Sequence, residues 1–124
     1  MMRYPKISNS ELQIMGYVWD AGRGVTTAEI MQHLPKETAW SQKTVITFLH
    51  RLVEKGVLRA ERQGRGYVYS ACVSEAAYRS AETAAFVQNV YRGSALGLVS
   101  ALCDSGEISR EEIEELLRRL EQEP

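Results

Sequence analysis

Two runs rich in β-forming residues, Val57 to Gln63 and Tyr67 to Val73, are separated only by Gly64-Arg65-Gly66. A short glycine-bearing loop between such runs predicts a β-hairpin. A lone two-stranded hairpin is marginal in water and must lay one face on something else. The partners available are the helices that precede it.

Each of those helices carries its own start signal. Ser8-Asn9-Ser10-Glu11 is a capping box, in which Ser8 and Glu11 each satisfy the other's free N–H. The helix that follows runs to about Asp20, with Leu12, Met15 and Trp19 on one stripe and Trp19 as a core anchor. Ala21-Gly22-Arg23-Gly24 ends it, and Val25 enters a short strand. Thr26 and Glu29 repeat the capping-box spacing for a brief helix, Thr27 to Leu34, closed by Pro35, with His33 a solvated side chain near its end. A third helix spans 41–55, with Ser41 as N-cap and Gly56 in the left-handed position that ends it. Its Val45, Phe48, Leu49 and Leu52 fall at i, i+3, i+4 and i+7 and form one apolar stripe. Lys43, Thr47, His50 and Glu54 lie opposite, with Arg51 beside them.

Three helices followed by a basic hairpin is the order of a winged helix-turn-helix, in which the third helix enters the major groove and the hairpin, or wing, reaches flanking phosphates or the minor groove. The charge distribution agrees. Residues 1–72 hold ten Lys/Arg and six Asp/Glu, net +4, while residues 73–124 hold five and ten, net −5, which together give the total of −1. A basic first part can meet phosphates while an acidic remainder faces away. Gln42, Lys43, Thr44, Thr47 and His50 are the expected base-reading residues. Ser41, Arg51, Arg62 and Arg65 are expected on phosphates, and Arg59 lies on the same hairpin. The competing reading is a winged helix that contacts protein and never DNA.

From Ser74 the composition changes to alanine-rich helices. Ser74 to Tyr91 and Ala95 to Cys103 are separated by Arg92-Gly93-Ser94, and Asp104-Ser105-Gly106 then turns the chain. A third capping box, Ser109 with Glu112, opens the last helix, whose Ile113, Leu116, Leu117 and Leu120 form one stripe. About 50 residues cannot bury such faces alone. A second copy about a two-fold axis is the expected cover, through Phe86, Val90, Leu96, Val99, Leu102, Ile113, Leu116 and Leu120. The alternative cover is the winged domain of the same chain. The fold class read here is mostly α with a small β-hairpin: a winged helix-turn-helix DNA-binding domain, 1–73, followed by an all-helical dimerisation domain, 74–124.

Catalysis and metal binding find little support. His33 and His50 are isolated, and no nucleophile–base spacing or phosphate-cradling loop occurs. Cys72 and Cys103 belong to no CxxC pair and read as buried or semi-exposed thiols. No enzyme activity, cofactor or metal is expected. With no signal peptide and no apolar run of about 18 residues, the expected location is the cytoplasm, without membrane insertion.

The chain resembles the penicillinase-repressor family of bacterial winged-helix regulators, often called BlaI/MecI. The resemblance runs from about Ile7 to Leu120. It is carried by Ser10-Glu11-Leu12 with Val18-Trp19-Asp20, by Trp40-Ser41-Gln42-Lys43-Thr44-Val45, by Arg51-Leu52-Val53-Glu54-Lys55-Gly56 and by Tyr67-Val68-Tyr69-Ser70. In the second part it is carried by Val90-Tyr91-Arg92-Gly93 and by Glu112-Ile113-Glu114-Glu115-Leu116. It implies a dimeric repressor of a two-fold operator, in a family that often controls antibiotic resistance. It also implies induction by a membrane sensor with a metalloprotease domain, which leads to cleavage within the dimerisation part. The bond that matches is Ala101-Leu102, where the well-known resistance repressors carry Asn-Phe.

Overall fold

The structure is a computed structural model that describes residues 4–122; Met1 to Ile7 reads from the sequence as a short arm, and its first three residues lie outside them. Six helices and one hairpin follow in order: α1 Asn9–Ala21, α2 Thr27–His33, α3 Gln42–Glu54, β1 Leu58–Gln63, β2 Gly66–Ala71, α4 Glu75–Val90, α5 Ala95–Asp104 and α6 Arg110–Gln122. A single 3₁₀ turn, Lys36–Thr38, lies between α2 and α3. The chain packs as two compact units, Met1–Glu82 and Thr83–Pro124.

Local chemistry sets the helix starts. The Ser8 hydroxyl accepts from the Glu11 N–H at 3.1 Å, and the Glu11 carboxylate accepts from the Ser8 N–H at 2.8 Å. Thr26 and Glu29 do the same at 3.2 and 3.1 Å. Arg23 donates to Glu29 at 2.6 Å, and that bond, with the Thr26 N–H, draws the Glu29 carboxyl down to about 2. Ser109 and Glu112 form the third box at 3.1 and 3.0 Å.

The core of the first unit is one layer of apolar side chains between the helices and the hairpin. Ile14, Met15 and Val18 of α1, Ile30 of α2 and Val45, Leu49 and Leu52 of α3 are buried in it. Phe48, the fourth residue of the α3 stripe, is only half-buried and meets the Trp40 ring edge-on at 5.1 Å. His33, read as solvated, is exposed but stacks on Tyr17 with centroids 4.4 Å apart.

The hairpin is antiparallel, with Leu58 opposite Ala71 and Gln63 opposite Gly66, so its loop is Gly64-Arg65 alone. Gly64 takes a φ of 63°, which the first central residue of a two-residue hairpin turn requires. Val25 adds a third, one-residue rung, exchanging two backbone bonds with Tyr69 at 2.9 and 2.8 Å. Gly24 makes that close approach possible, since a Cβ there would collide with Val68.

A buried ion pair joins distant parts of this unit. Glu11 of α1 is 2 % exposed, and one of its oxygens accepts from the Lys55 ammonium at 2.7 Å. Lys55 caps α3 and donates also to the Lys6 carbonyl at 2.8 Å. The other Glu11 oxygen is buried without a hydrogen-bond partner among the described residues. Burial pushes the Glu11 carboxyl up, but the hydrogen bonds from Lys55 and Ser8 outweigh it and hold the group below its usual range.

The first turns of α4 belong to the first unit. Tyr78 is buried there, with its ring 5.8 Å from Trp19 and 5.9 Å from Tyr4, and the Trp19 indole donates to the Val73 carbonyl at 2.9 Å. In the second unit none of the described residues is buried. No helix among the described residues is long and apolar enough to cross a membrane. Cys72 and Cys103, expected buried or semi-exposed, are both exposed and free.

Candidate nucleic-acid interface

Helix α3 is held by its apolar back and leaves its front open. Ser41, Gln42, Lys43, Thr47, His50 and Arg51 are exposed, and Thr44 is half-buried. The start of the helix is locally tied: Ser41 accepts from the Thr44 N–H at 3.1 Å, and the two hydroxyls lie 3.0 Å apart. The Thr47 hydroxyl donates to the Lys43 carbonyl at 3.0 Å, which leaves its methyl group and oxygen lone pairs for a ligand. Just before the N-cap, Ala39 takes a left-handed φ of 53°, turning the chain into the helix.

The open front divides into two rows. Gln42, Ile46 and His50, spaced by four, line a cleft of about 530 Å³ with Thr26, Thr27 and Ala28 at the start of α2. The wall opposite is the wing, from Gln63 and Arg65 to Tyr69. Lys43 and Thr47 stand outside the cleft on the neighbouring, more exposed row. All five expected base-reading residues thus lie on α3, but only Gln42 and His50 share the cleft with the wing. The start of α2 and the wing tyrosines complete that cleft, and neither was in the sequence-based set.

The wing arginines are not equivalent. Cross-strand partners share a face, so Leu58, Ala60 and Arg62 lie with Ala71, Tyr69 and Tyr67. Leu58 and Tyr69 are buried, and Ala60, Tyr67 and Tyr69 line a hollow with His50, Val53 and Glu54 of α3. That face therefore looks toward α3, and Arg62 is on it. Arg59 is on the reverse face, paired with Glu61 at 3.2 Å. Arg65 stands exposed at the turn. Among the described residues no group of three or more His, Cys, Asp or Glu could hold a metal ion.

The residues expected at a dimer face are open. Phe86, Val90, Leu96, Val99, Leu116 and Leu120 are exposed, as is Leu117, while Leu102 and Ile113 are half-buried. Ala101 and Leu102 fall inside α5.

Comparison with known proteins agrees with this geometry. The family model described as penicillinase repressor matches residues 7–122. The chain is 34% identical over 122 residues to the penicillinase repressor of Bacillus licheniformis, covering 98% of this chain and 94% of that protein. It is 27% identical over 111 residues to the methicillin resistance regulatory protein MecI of Staphylococcus aureus, covering 90% of this chain and 89% of that protein. The solution structure of the DNA-binding domain of the repressor BlaI superposes with a TM-score of 0.54 at 37% identity, over 63% of this chain and 94% of that one. The Bacillus licheniformis BlaI monomeric form in complex with the blaP half-operator gives 0.53 at 37% identity, over the same shares. These matches place the fold as a winged helix, and the chain belongs to the penicillinase repressor family, a family of transcriptional repressors and not of enzymes.

Proposed function

We propose that the chain represses transcription in the cytoplasm as a homodimer, each protomer laying α3 in the major groove of one half of a two-fold operator and its wing on the flanking backbone. The supporting observation is one continuous surface: the exposed cationic front of α3, the cleft beside it and the Arg62–Arg65 side of the wing. The similar Bacillus licheniformis BlaI, in its monomeric form, is in complex with the blaP half-operator. The winged unit would be the DNA-binding domain, and the helices beyond it the dimerisation domain.

Within this reading Lys43 and Gln42 contact base edges, lysine suiting the guanine acceptors and glutamine the adenine edge. Thr44, Thr47 and His50 flank them, while Ser41, Arg51, Arg62 and Arg65 set the register on phosphates. Lys43→Ala or Gln42→Ala is expected to lose about 1–3 kcal/mol of binding and to relax preference at one base pair. Arg65→Ala is expected to weaken binding to all duplexes and to lower the salt slope by about one. A gel-shift series over salt, on a duplex selected from random sequence by this protein, reads both. Unchanged affinity in Lys43→Ala together with Thr47→Ala would refute the groove assignment.

Relief by a sensor-linked metalloprotease is the second part of the proposal. The matching bond, Ala101-Leu102, lies in the last turn of α5 and is half-buried. Proteases take their substrates extended, so this bond opens to one only when α5 unwinds locally.

A further inference from the structure

The wing carries a large aromatic side chain that the core does not use. Tyr67 and Tyr69 stand two residues apart on the α3-facing side of the hairpin, with ring centroids 6.4 Å apart. Tyr69 is 4 % exposed and belongs to the core, whereas Tyr67 is 47 % exposed. Its ring borders both the cleft shared with Ile46 and the hollow shared with Val53, and His50 lines the two alongside it. It is therefore a ridge between the reading helix and the wing. Its direct cross-strand neighbour is Arg62, which has no acidic partner among the described residues, whereas Arg59 has one in Glu61.

An apolar ring with a hydroxyl at its tip, next to an arginine, matches a sugar followed by a phosphate. A deoxyribose offers a C–H face to the ring, and the adjoining phosphate accepts from the hydroxyl. We propose that Tyr67 is a DNA-backbone contact: its ring packs on a deoxyribose of the strand passing between α3 and the wing, its hydroxyl donates to the adjacent phosphate, and Arg62 meets the next one. The inference rests on the reading of this face as the DNA surface. It assigns to the junction a contact that reads no sequence and holds the helix and the wing in fixed register on one strand.

The test uses the full chain, a mixed-sequence duplex and binding isotherms over salt. Tyr67→Phe keeps the ring and removes the donor, and it is expected to weaken binding about three- to ten-fold, as a net hydrogen bond would. Because tyrosine is neutral, the salt slope should not change, whereas Arg62→Ala should lower it by about one. The melting temperature of Tyr67→Phe should equal that of the parent, since the ring is half in solvent. Scanning single uncharged methylphosphonates along each strand should reveal one position that weakens the parent and leaves Tyr67→Phe unaffected. Parent-like affinity of Tyr67→Phe, with Arg62→Ala and Arg65→Ala still weakened, overturns this inference alone. Parent-like binding by all three variants overturns the reading of the whole face.

Discussion

Lys55→Met should destabilise the winged unit by about 3–5 kcal/mol, the usual result of stranding one member of a buried ion pair. Methionine fills the space of the lysine stem but removes the ammonium that holds Glu11, a carboxylate whose second oxygen has no hydrogen-bond partner among the described residues. Domains of this size are stable by about 5–15 kcal/mol, so the loss is a large share of the total. Urea unfolding followed by tryptophan fluorescence measures it selectively, because Trp19 and Trp40 both lie in this unit. The pH dependence should also weaken. In the parent the Glu11 pKa is depressed, so its stabilisation is present above the unfolded pKa and lost as pH falls through the folded one. In Lys55→Met burial still pushes the Glu11 carboxyl up and the Ser8 hydrogen bonds are left to oppose it, so the depression shrinks. Glu11→Met combined with Lys55→Met should regain much of the loss, because no charge remains buried. A single variant within about 1 kcal/mol of the parent at neutral pH, with an unchanged pH trend, would show the pair to be a surface contact in its effect.

Leu96→Asp together with Leu120→Asp should convert the protein to monomers and weaken binding to a two-site duplex by about 10²–10⁴-fold, the range lost when a second linked contact is removed. These two leucines are 76 % and 66 % exposed in the single chain, so aspartate at either position need disturb no packing within the protomer. In an isologous interface each charge would be buried twice, once on each side of the axis. Affinity for a duplex carrying one half-site should be nearly unchanged. Sedimentation velocity and parallel titrations with one- and two-site duplexes separate the two effects. A variant that still sediments as a dimer, or a monomer that retains two-site affinity, would remove the proposed role of these faces.

Much of this architecture was legible because its signals are local. Each capping box joins residues three apart, so Ser8 with Glu11, Thr26 with Glu29 and Ser109 with Glu112 could be read directly and occur as bonded pairs. The exposed stripe of α6 was equally plain from its period. The wing was harder. Taking Gly64-Arg65-Gly66 as the loop leaves the register open by one residue, and one residue decides whether Arg62 faces Tyr67 or Val68. The actual two-residue loop puts Arg62 beside Tyr67. The front of α3 was visible as a face, but its division into two rows depends on where the wing stands against it. The Glu11–Lys55 pair joins residues 44 positions apart; Glu11 had a satisfactory local explanation as a capping-box acid, and Lys55 stands at the end of α3, where a cation needs no distant partner. Nothing local distinguishes a capping carboxylate in water from one sealed in a core.

The second unit, with none of its described residues buried in the single chain, has a consequence beyond symmetry. A segment that gains its interior only from a partner folds and associates in one act, so its stability follows the law of mass action. The winged unit holds its shape at any dilution, since its core is its own. In the proposed dimer the helices beyond it would not, and the number of molecules in a cell would become a variable in whether they are folded at all. Below a threshold of abundance the repressor would lose its clasp before losing its reading heads. A small fall in supply would then release the operator more sharply than simple dilution of a preformed dimer could.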